Sequence, residues 1–300
     1  MRVTQSMLNS QLLRDINNNL QRMAKNQERL ASQSMVNRPS DDPVASTLIL
    51  RYREELAANY QYQRNVDDAM SWLEQYDSAL NEVNAILQAA REEALRAANG
   101  TNPETSMEAI AQKIGQLYDQ LIAVGNTQFK GKYIFNGKET QTKPYGDLTA
   151  PHTADDSNTI EFEVMPGVLI QINSLGSAVF GDTSGSGTDN AFDILKDLES
   201  ALLASPPDTD AIQTAIGNLD NRIDKVLSQW TDIGARMNRL ELIQSRLEDE
   251  DYNLQKLLSA AQDTDVAKIY MLLKTDENVY QASLSVGAQI IRPSLVDFLR

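Results

Sequence analysis

Residues 212–261 read IQTAIGNLDNRIDKVLSQWTDIGARMNRLELIQSRLEDEDYNLQKLLSAA. Apolar side chains recur at Ile212, Ile216, Leu219, Ile223, Val226, Trp230, Ile233, Met237, Leu240, Leu247, Leu254, Leu258 and Ala261, and only Gln244 and Asp251 interrupt them. Steps of three and four residues keep such positions in one stripe along one face of a helix. At about 1.5 Å per residue the stretch predicts a helix roughly 75 Å long. A seven-residue repeat sustained this far implies left-handed supercoiling against other long helices, because one helix cannot bury its own stripe.

Two upstream segments have the matching pattern. The first places Tyr62, Val66, Ala69, Leu73, Tyr76, Leu80, Val83, Leu87, Ala90 and Ala94 on one face, in a helix expected to begin at Pro43 and end at Asn99-Gly100. The second is expected to start with Asn102 as N-cap and Pro103 in the first turn, with Met107, Ile110, Ile114, Leu117, Leu121 and Val124 on its stripe. These two should form an antiparallel hairpin. Between about Phe129 and Asp189 the chain is rich in Gly, Thr, Ser, Asp and Asn and reads as β. Tyr133-Ile134-Phe135 before Asn136-Gly137 suggests one hairpin; Ile160, Phe162 and Val164, then Met165-Pro166-Gly167, then Leu169 to Ile172 suggest another. Gly181 to Asn190 reads as a flexible return to a helix beginning near Ala191.

Both ends are helical by pattern. Leu13, Ile16, Leu20, Met23 and Leu30 form a sparse stripe, although fourteen of the first 34 residues are Asn, Gln or Ser. Val266, Tyr270, Leu273, Tyr280, Leu284 and Ile291 form another, and the chain finishes with Leu295, Val296, Phe298 and Leu299. Each end needs a partner, and the nearest at hand is the other end, followed by further copies of the chain. The fold class expected is mainly α: a long antiparallel helical bundle or coiled coil formed by the N- and C-terminal arms, with a small β-rich insertion domain in the middle. Residues 1–42 and 265–300 would be terminal helices that pair on assembly, 43–140 and 190–264 a helical rod domain with a β-hairpin, and 141–189 a small β-rich outer domain. In isolation about 40 residues at the N-terminus and 35 at the C-terminus are expected to be disordered for want of partners, and the middle is expected to tolerate deletion because the arms carry the contacts.

Composition narrows the function classes. The chain is 300 residues long and 41% apolar, enough for a sizeable core. It has no cysteine and one histidine, His152, which leaves out disulfides, thiolate zinc sites and a cysteine nucleophile. A net charge of −15 repels phosphate backbones, so nucleic acid is not an expected partner. Residues 1–64 carry nine bases and six acids, residues 251–300 five and six, so the acidity belongs to the middle. No apolar run is long enough for membrane insertion, and Met-Arg-Val-Thr-Gln-Ser at the start lacks the apolar segment of a secretory signal.

Few residues suggest catalysis. Asp41-Asp42 could be an acid–base pair, but Asp42 before Pro43 is also an N-cap followed by proline in the first turn. Glu248-Asp249-Glu250-Asp251 are consecutive helix positions, which point in different directions and cannot converge on one ion. Lys130-Gly131-Lys132 lacks the spacing of a phosphate-binding loop. Trp230 and Tyr76 fall on apolar stripes and read as core. Asp155, Asp156, Glu161 and Glu163 could arm an enzyme site in the β region, with Glu161 and Glu163 on one strand face, though a solvated acidic face explains them as well. No catalytic residue, metal site or cofactor is expected.

Three blocks carry a resemblance: Asn37-Arg38-Pro39-Ser40-Asp41-Asp42-Pro43-Val44-Ala45, Asn126-Thr127-Gln128-Phe129-Lys130-Gly131-Lys132-Tyr133-Ile134-Phe135-Asn136-Gly137, and Gly234-Ala235-Arg236-Met237-Asn238-Arg239-Leu240. They resemble the flagellin superfamily. The Pro-Ser-Asp-Asp-Pro form, with Asn37, Pro39, Ser40, Asp41, Asp42 and Pro43, is similar to the hook-filament junction branch of that family. Where the family shows Gly and basic residues just before Asn37, this chain has Gln33, Ser34 and Met35. The resemblance implies a structural, non-enzymatic protein of the bacterial flagellum, secreted unfolded through the type III channel to an extracellular place. Its implied partners are further copies of itself in a ring, the first hook-associated protein, flagellin and a flagellar export chaperone. Assembly would rest on the terminal helices, with Leu13, Ile16, Leu20, Met23, Leu284, Ile291, Leu295 and Phe298 as contacts. Flagellin proper and another secreted coiled-coil interaction protein are the alternatives.

Overall fold

The computed structural model describes residues 5–99, 103–146, 159–181 and 189–290. Seven α-helices and four short strands follow one another among them: α1 Gln5–Ser32, α2 Pro43–Ala98, α3 Glu104–Gly125, β1 Gln128–Phe129, β2 Lys132–Tyr133, β3 Glu161–Met165, β4 Val168–Gln171, α4 Gly176–Phe180, α5 Ala191–Leu203, α6 Thr209–Gln262 and α7 Val266–Ile290. The chain is mainly helical, with long N- and C-terminal arms and a small β insertion between them. It divides into two compact units, residues 1–58 with 249–300, and residues 59–248. These bounds lie inside the rod domain expected from the sequence, whose ends were placed at 43 and 264.

The second unit is built on the stripes. Val66, Ala69, Leu73, Tyr76, Leu80, Val83, Leu87, Ala90 and Ala94 of α2 are buried, as are Met107, Ile110, Ile114, Leu121 and Val124 of α3. Ile212, Leu219, Ile223, Val226, Ile233, Leu240 and Leu247 of α6 are buried in the same core, with Ile216, Trp230 and Met237 packed at its margin. Trp230 Nε1 donates to Asp77 Oδ1 at 2.6 Å, so its one polar atom is satisfied where the ring leaves the core. Glu93, nearly buried on α2, accepts from Lys113 of α3 at 2.5 Å and from Arg96 at 2.9 Å, pinning one helix of the hairpin to the other.

Helix starts follow local chemistry. Asp42 Oδ1 accepts from Val44 N and Ala45 N, both at 3.0 Å, and Pro43 opens α2 as expected. Asn190 caps α5 through Phe192 N at 2.9 Å, and Asp208 caps α6 through Ala211 N at 3.0 Å. At α3 the expectation needs correction. Pro103, at φ −65° and ψ 153°, is itself the N-cap, and its carbonyl takes the first helical bond from Ser106 N at 2.8 Å. Asn102 lies outside the described residues.

The first hairpin also differs from the reading. β1 and β2 pair antiparallel across Lys130-Gly131, not at Asn136-Gly137. A two-residue hairpin turn twisted to suit its strands needs positive φ at both central positions, and Lys130 at 51° with Gly131 at 76° supply it. Asn136 instead folds the chain after β2 into a tight turn, its amide donating to the carbonyls of Glu139 at 2.8 Å and Thr142 at 2.9 Å. The second hairpin, β3 with β4, stands where expected, with Glu161 opposite Gln171 and Phe162 opposite Ile170.

The β region shares the helical core. Phe135, Tyr145, Val164, Ile170, Ile172 and Phe180 are all buried against it. Tyr145 packs edge to face on Phe180 at 5.1 Å between centroids, and Phe180 stacks on Phe192 of α5 at 5.3 Å. The described parts of 141–189 therefore belong to the same packed body as α2, α3, α5 and α6, where a separate outer domain was expected. Arg222 of α6 is buried beside them, donating to Val179 O at 3.1 Å and to Asp189 Oδ1 at 3.0 Å.

Candidate assembly surface

In the first unit α1 and α7 run antiparallel: Gly287, near the end of α7, meets Leu12 near the start of α1, and Ser34 bridges Asp263 at the opposite end. The side chains turned inward on α1 are Asn9, Leu12, Ile16, Asn19, Met23, Asn26 and Leu30; on α7 they are Ile269, Leu273, Asp276, Tyr280, Ser283 and Gly287. Both sets advance by alternate steps of three and four, so each helix offers an uninterrupted seam. Asn19 and Asn26 are buried in it. Asn19 Nδ2 donates to the Asp276 carbonyl at 3.0 Å, Asn26 Nδ2 donates to Asp276 Oδ2 at 2.8 Å, and Arg22 lies 3.7 Å from Asp276 Oδ1. At Gly287 an added Cβ would meet Leu12 Cδ2 at 3.0 Å, so the absence of a side chain lets the helices close there.

This seam is displaced from the apolar stripe read in the sequence. Ile16 and Met23 are half-buried in it, but Leu13 is 61% exposed, Leu20 is 37% exposed and Leu284 is 45% exposed. Leu13, Ile16 and Leu284 do come together around an apolar hollow of about 470 Å³ at the outer margin of the pair. The asparagines enter the seam because Asp276 satisfies their amides, which a pattern of apolar residues alone does not register. Ile291, Leu295 and Phe298 lie outside the described residues. Outside the seam the pair still presents Met7, Leu8, Leu13 and Leu20 on α1 and Val266, Tyr270, Met271, Leu272, Val279, Leu284 and Val286 on α7, all exposed.

The motif from Asn37 to Pro43 anchors the chain between α1 and α2. Asp41 Oδ1 pairs with Lys25 of α1 at 2.9 Å, and its other oxygen accepts from Arg38 N at 3.2 Å. The hydrogen bond from Lys25, with help from that backbone amide, holds the Asp41 carboxyl below its usual range. Asp42 is fully used as the cap of α2. Pro39 and Ser40 are exposed, and Asn37 lines a cavity of about 340 Å³ with Arg38, Arg53 and Gln262. Just upstream, Gln33 takes φ 54° as α1 ends, and the two chain reversals of the unit are stitched by Met35 N to Gln262 O at 2.7 Å and Thr264 N to Gln33 O at 3.1 Å. The chain thus makes without glycine the left-handed turn that glycine makes most readily.

The other candidates carry no chemistry that the structure brings together. Glu161 and Glu163 are exposed, and Glu163 Oε1 accepts from Gly167 N at 3.0 Å in its own hairpin turn. Asp251 Oδ2 accepts from Gln255 at 2.7 Å one turn along α6. His152, Asp155 and Asp156 lie outside the described residues. Among the described residues no group of three or more acidic or histidine side chains is placed to hold a metal ion. No described helix is long and apolar enough to cross a membrane.

Paired terminal helices that leave large apolar side chains exposed, within long helical arms, mark the chain as a structural helical protein. The chain belongs to the bacterial flagellin family: the family's N-terminal helical region matches residues 3–140 and its C-terminal helical region residues 216–299. It is 27% identical to flagellar hook-associated protein 3 of Escherichia coli K12 over 88% of this chain and 89% of that one. It is also 27% identical to the flagellin of Bacillus subtilis 168, over 96% of each chain. Among solved structures, flagellar hook-associated protein 3 of Legionella pneumophila superposes with a TM-score of 0.63 at 17% identity, covering 71% of this chain and 98% of that one. FlgL of Bacillus cereus superposes with a TM-score of 0.57 at 22% identity, covering 68% and 97%. These superpositions share the fold, and the family gives the chain a structural role in the flagellum.

Proposed function

We propose that this chain is the adaptor of the hook-filament junction, assembled as a ring of copies between the first hook-associated protein and flagellin outside the cell. The observation that carries this reading is the set of large apolar side chains left exposed on the α1–α7 pair after its own seam is filled. Eleven large apolar side chains stand exposed around these two helices, and other helices of the same kind are their natural cover. Leu13, Leu20 and Leu284 belong to that exposed set, while Ile16 and Met23 hold the pair together. The Pro39-Ser40-Asp41-Asp42-Pro43 block and the hook-associated relatives favour the junction over the filament. Export unfolded, with a chaperone holding the apolar ends, fits a subunit whose terminal helices find their full set of partners only in the assembly. No step of this role needs a catalytic group.

Deletion of the gene tests the reading. Cells should keep their hooks, lose their filaments and release flagellin, detected with a flagellin antibody, into the medium. Filaments of normal length would refute the junction role. The second reading, that the chain is itself a flagellin, is favoured by its full-length match to the Bacillus subtilis protein. It predicts hooks without filaments and no flagellin in the medium.

A further inference from the structure

The seam of the α1–α7 pair is polar at its centre, where apolar side chains would hold it more simply. Asn19 and Asn26 are seven residues apart on α1, and both turn their amides to one residue of α7, Asp276, the first to its main-chain carbonyl and the second to its carboxylate. Arg22, between them, donates to Asn19 Oδ1 at 3.1 Å and lies against the same carboxylate. The centre of the seam is thus one acid enclosed by two amides and a guanidinium, with Met23 beside it.

We infer that Asp276, with Asn19, Asn26 and Arg22, sets the register in which α1 and α7 pair, and thereby which apolar side chains face outward for neighbouring copies. Apolar seam positions are interchangeable under a slip of seven residues, because the same spacing recurs one heptad on. The acid is not. A slip in either direction carries Asp276 from beside Met23 to beside Ile16 or Leu30, and it parts the carboxylate from both Asn26 and Arg22. A lone polar residue in a coiled-coil seam selects register in this way, giving up some stability for uniqueness. The inference deepens the assembly reading and concerns the same helices, but register is a property of one chain and can be read whether or not copies assemble.

The chain has no cysteine, so introduced pairs report without interference. Leu12→Cys with Gly287→Cys joins residues in contact in the observed register, and Leu12→Cys with Tyr280→Cys joins those that would meet after a slip of one heptad. In the parent sequence, under mild oxidation, the first pair should form an intramolecular disulfide at least about tenfold more readily than the second, since a slip strands buried polar groups. With Asn19→Leu, Asn26→Leu and Asp276→Leu in place, both pairs should crosslink to yields within about twofold of each other while helicity by circular dichroism is retained. If the triple variant still crosslinks only between positions 12 and 287, the register is set by other residues and the inference fails. It fails equally if both crosslinks vanish and helicity falls, since the cluster would then hold the pair together without choosing its register.

Discussion

Tyr76 donates its hydroxyl to the Ile134 carbonyl, and burial pushes its pKa far up, so the proton stays on the donor throughout the ordinary pH range. Tyr76→Phe should cost about 1–3 kcal/mol in urea unfolding of the chain, because the carbonyl is left buried without a donor. Asp41 sits at the other extreme of exposure. Its pKa is lowered in the folded chain, first by the hydrogen bond from Lys25, so its contribution to anchoring α1 is present above about pH 4, the range of a free carboxylate, and is lost as pH falls through its folded value. The protection of α1 amides against exchange, relative to the intrinsic rate at each pH, should therefore fall in acid in the parent, and Lys25→Ala should remove that acid step; an unchanged acid step would assign it to another group. Neither contact was legible in the sequence, since Tyr76 read only as core and Asp41 as a motif residue or half of an acid–base pair. Asp42, by contrast, declared itself as a cap because an acid before Pro43 has few other uses. Lys130 and Gln33 gave no warning of positive φ, because the residue types that announce it are glycine and asparagine.

At the level of elements, apolar spacing located α2, α3 and α6 to within a few residues, since the stripe that each of those helices buries is mostly apolar. The same counting misread α1 and α7. It chose Leu13 and Leu20 over Leu12, Asn19 and Asn26, because the energy that seats the asparagines lies on the partner helix, at Asp276, and not in their own segment. The displacement separates two groups of leucines that the sequence had merged. Leu273 is buried in the seam, and Leu273→Ala should destabilise the pair by about 2–5 kcal/mol. Leu13→Ala with Leu284→Ala removes exposed side chains and should change the chain's stability by no more than about 0.5 kcal/mol per site, yet weaken junction formation and release flagellin into the medium. Thermal melts beside motility assays check both. A clear drop in melting temperature for the exposed pair would place those leucines inside the folded unit and contradict the division. The second hairpin was readable from Pro166-Gly167 between two alternating runs, whereas the first was assigned to Asn136-Gly137 because that dipeptide is the stronger turn signal of the two.

For the whole molecule, the sequence suggested that the middle could be removed because the arms carry the contacts. Tyr145, Val164, Ile172 and Phe180 weigh against that expectation, since all four are buried in the core that α2, α3, α5 and α6 share. Deleting Thr142 to Asp189 should abolish the cooperative melt of residues 59–248, and a truncated chain that melts as sharply as the parent would show the region to be dispensable. Limited proteolysis should still cut first in the terminal helices, whose seam residues are mostly half-buried, and leave the unit built on residues 59–248. Both results bear on how the chain is put together; where it works is a separate matter. Gold labelling of intact flagella, with an antibody raised against this chain and electron microscopy of the hook and filament, tests that directly. A single band of label where the hook meets the filament is the predicted result, and label distributed along the filament, or none on the flagellum, would contradict the account.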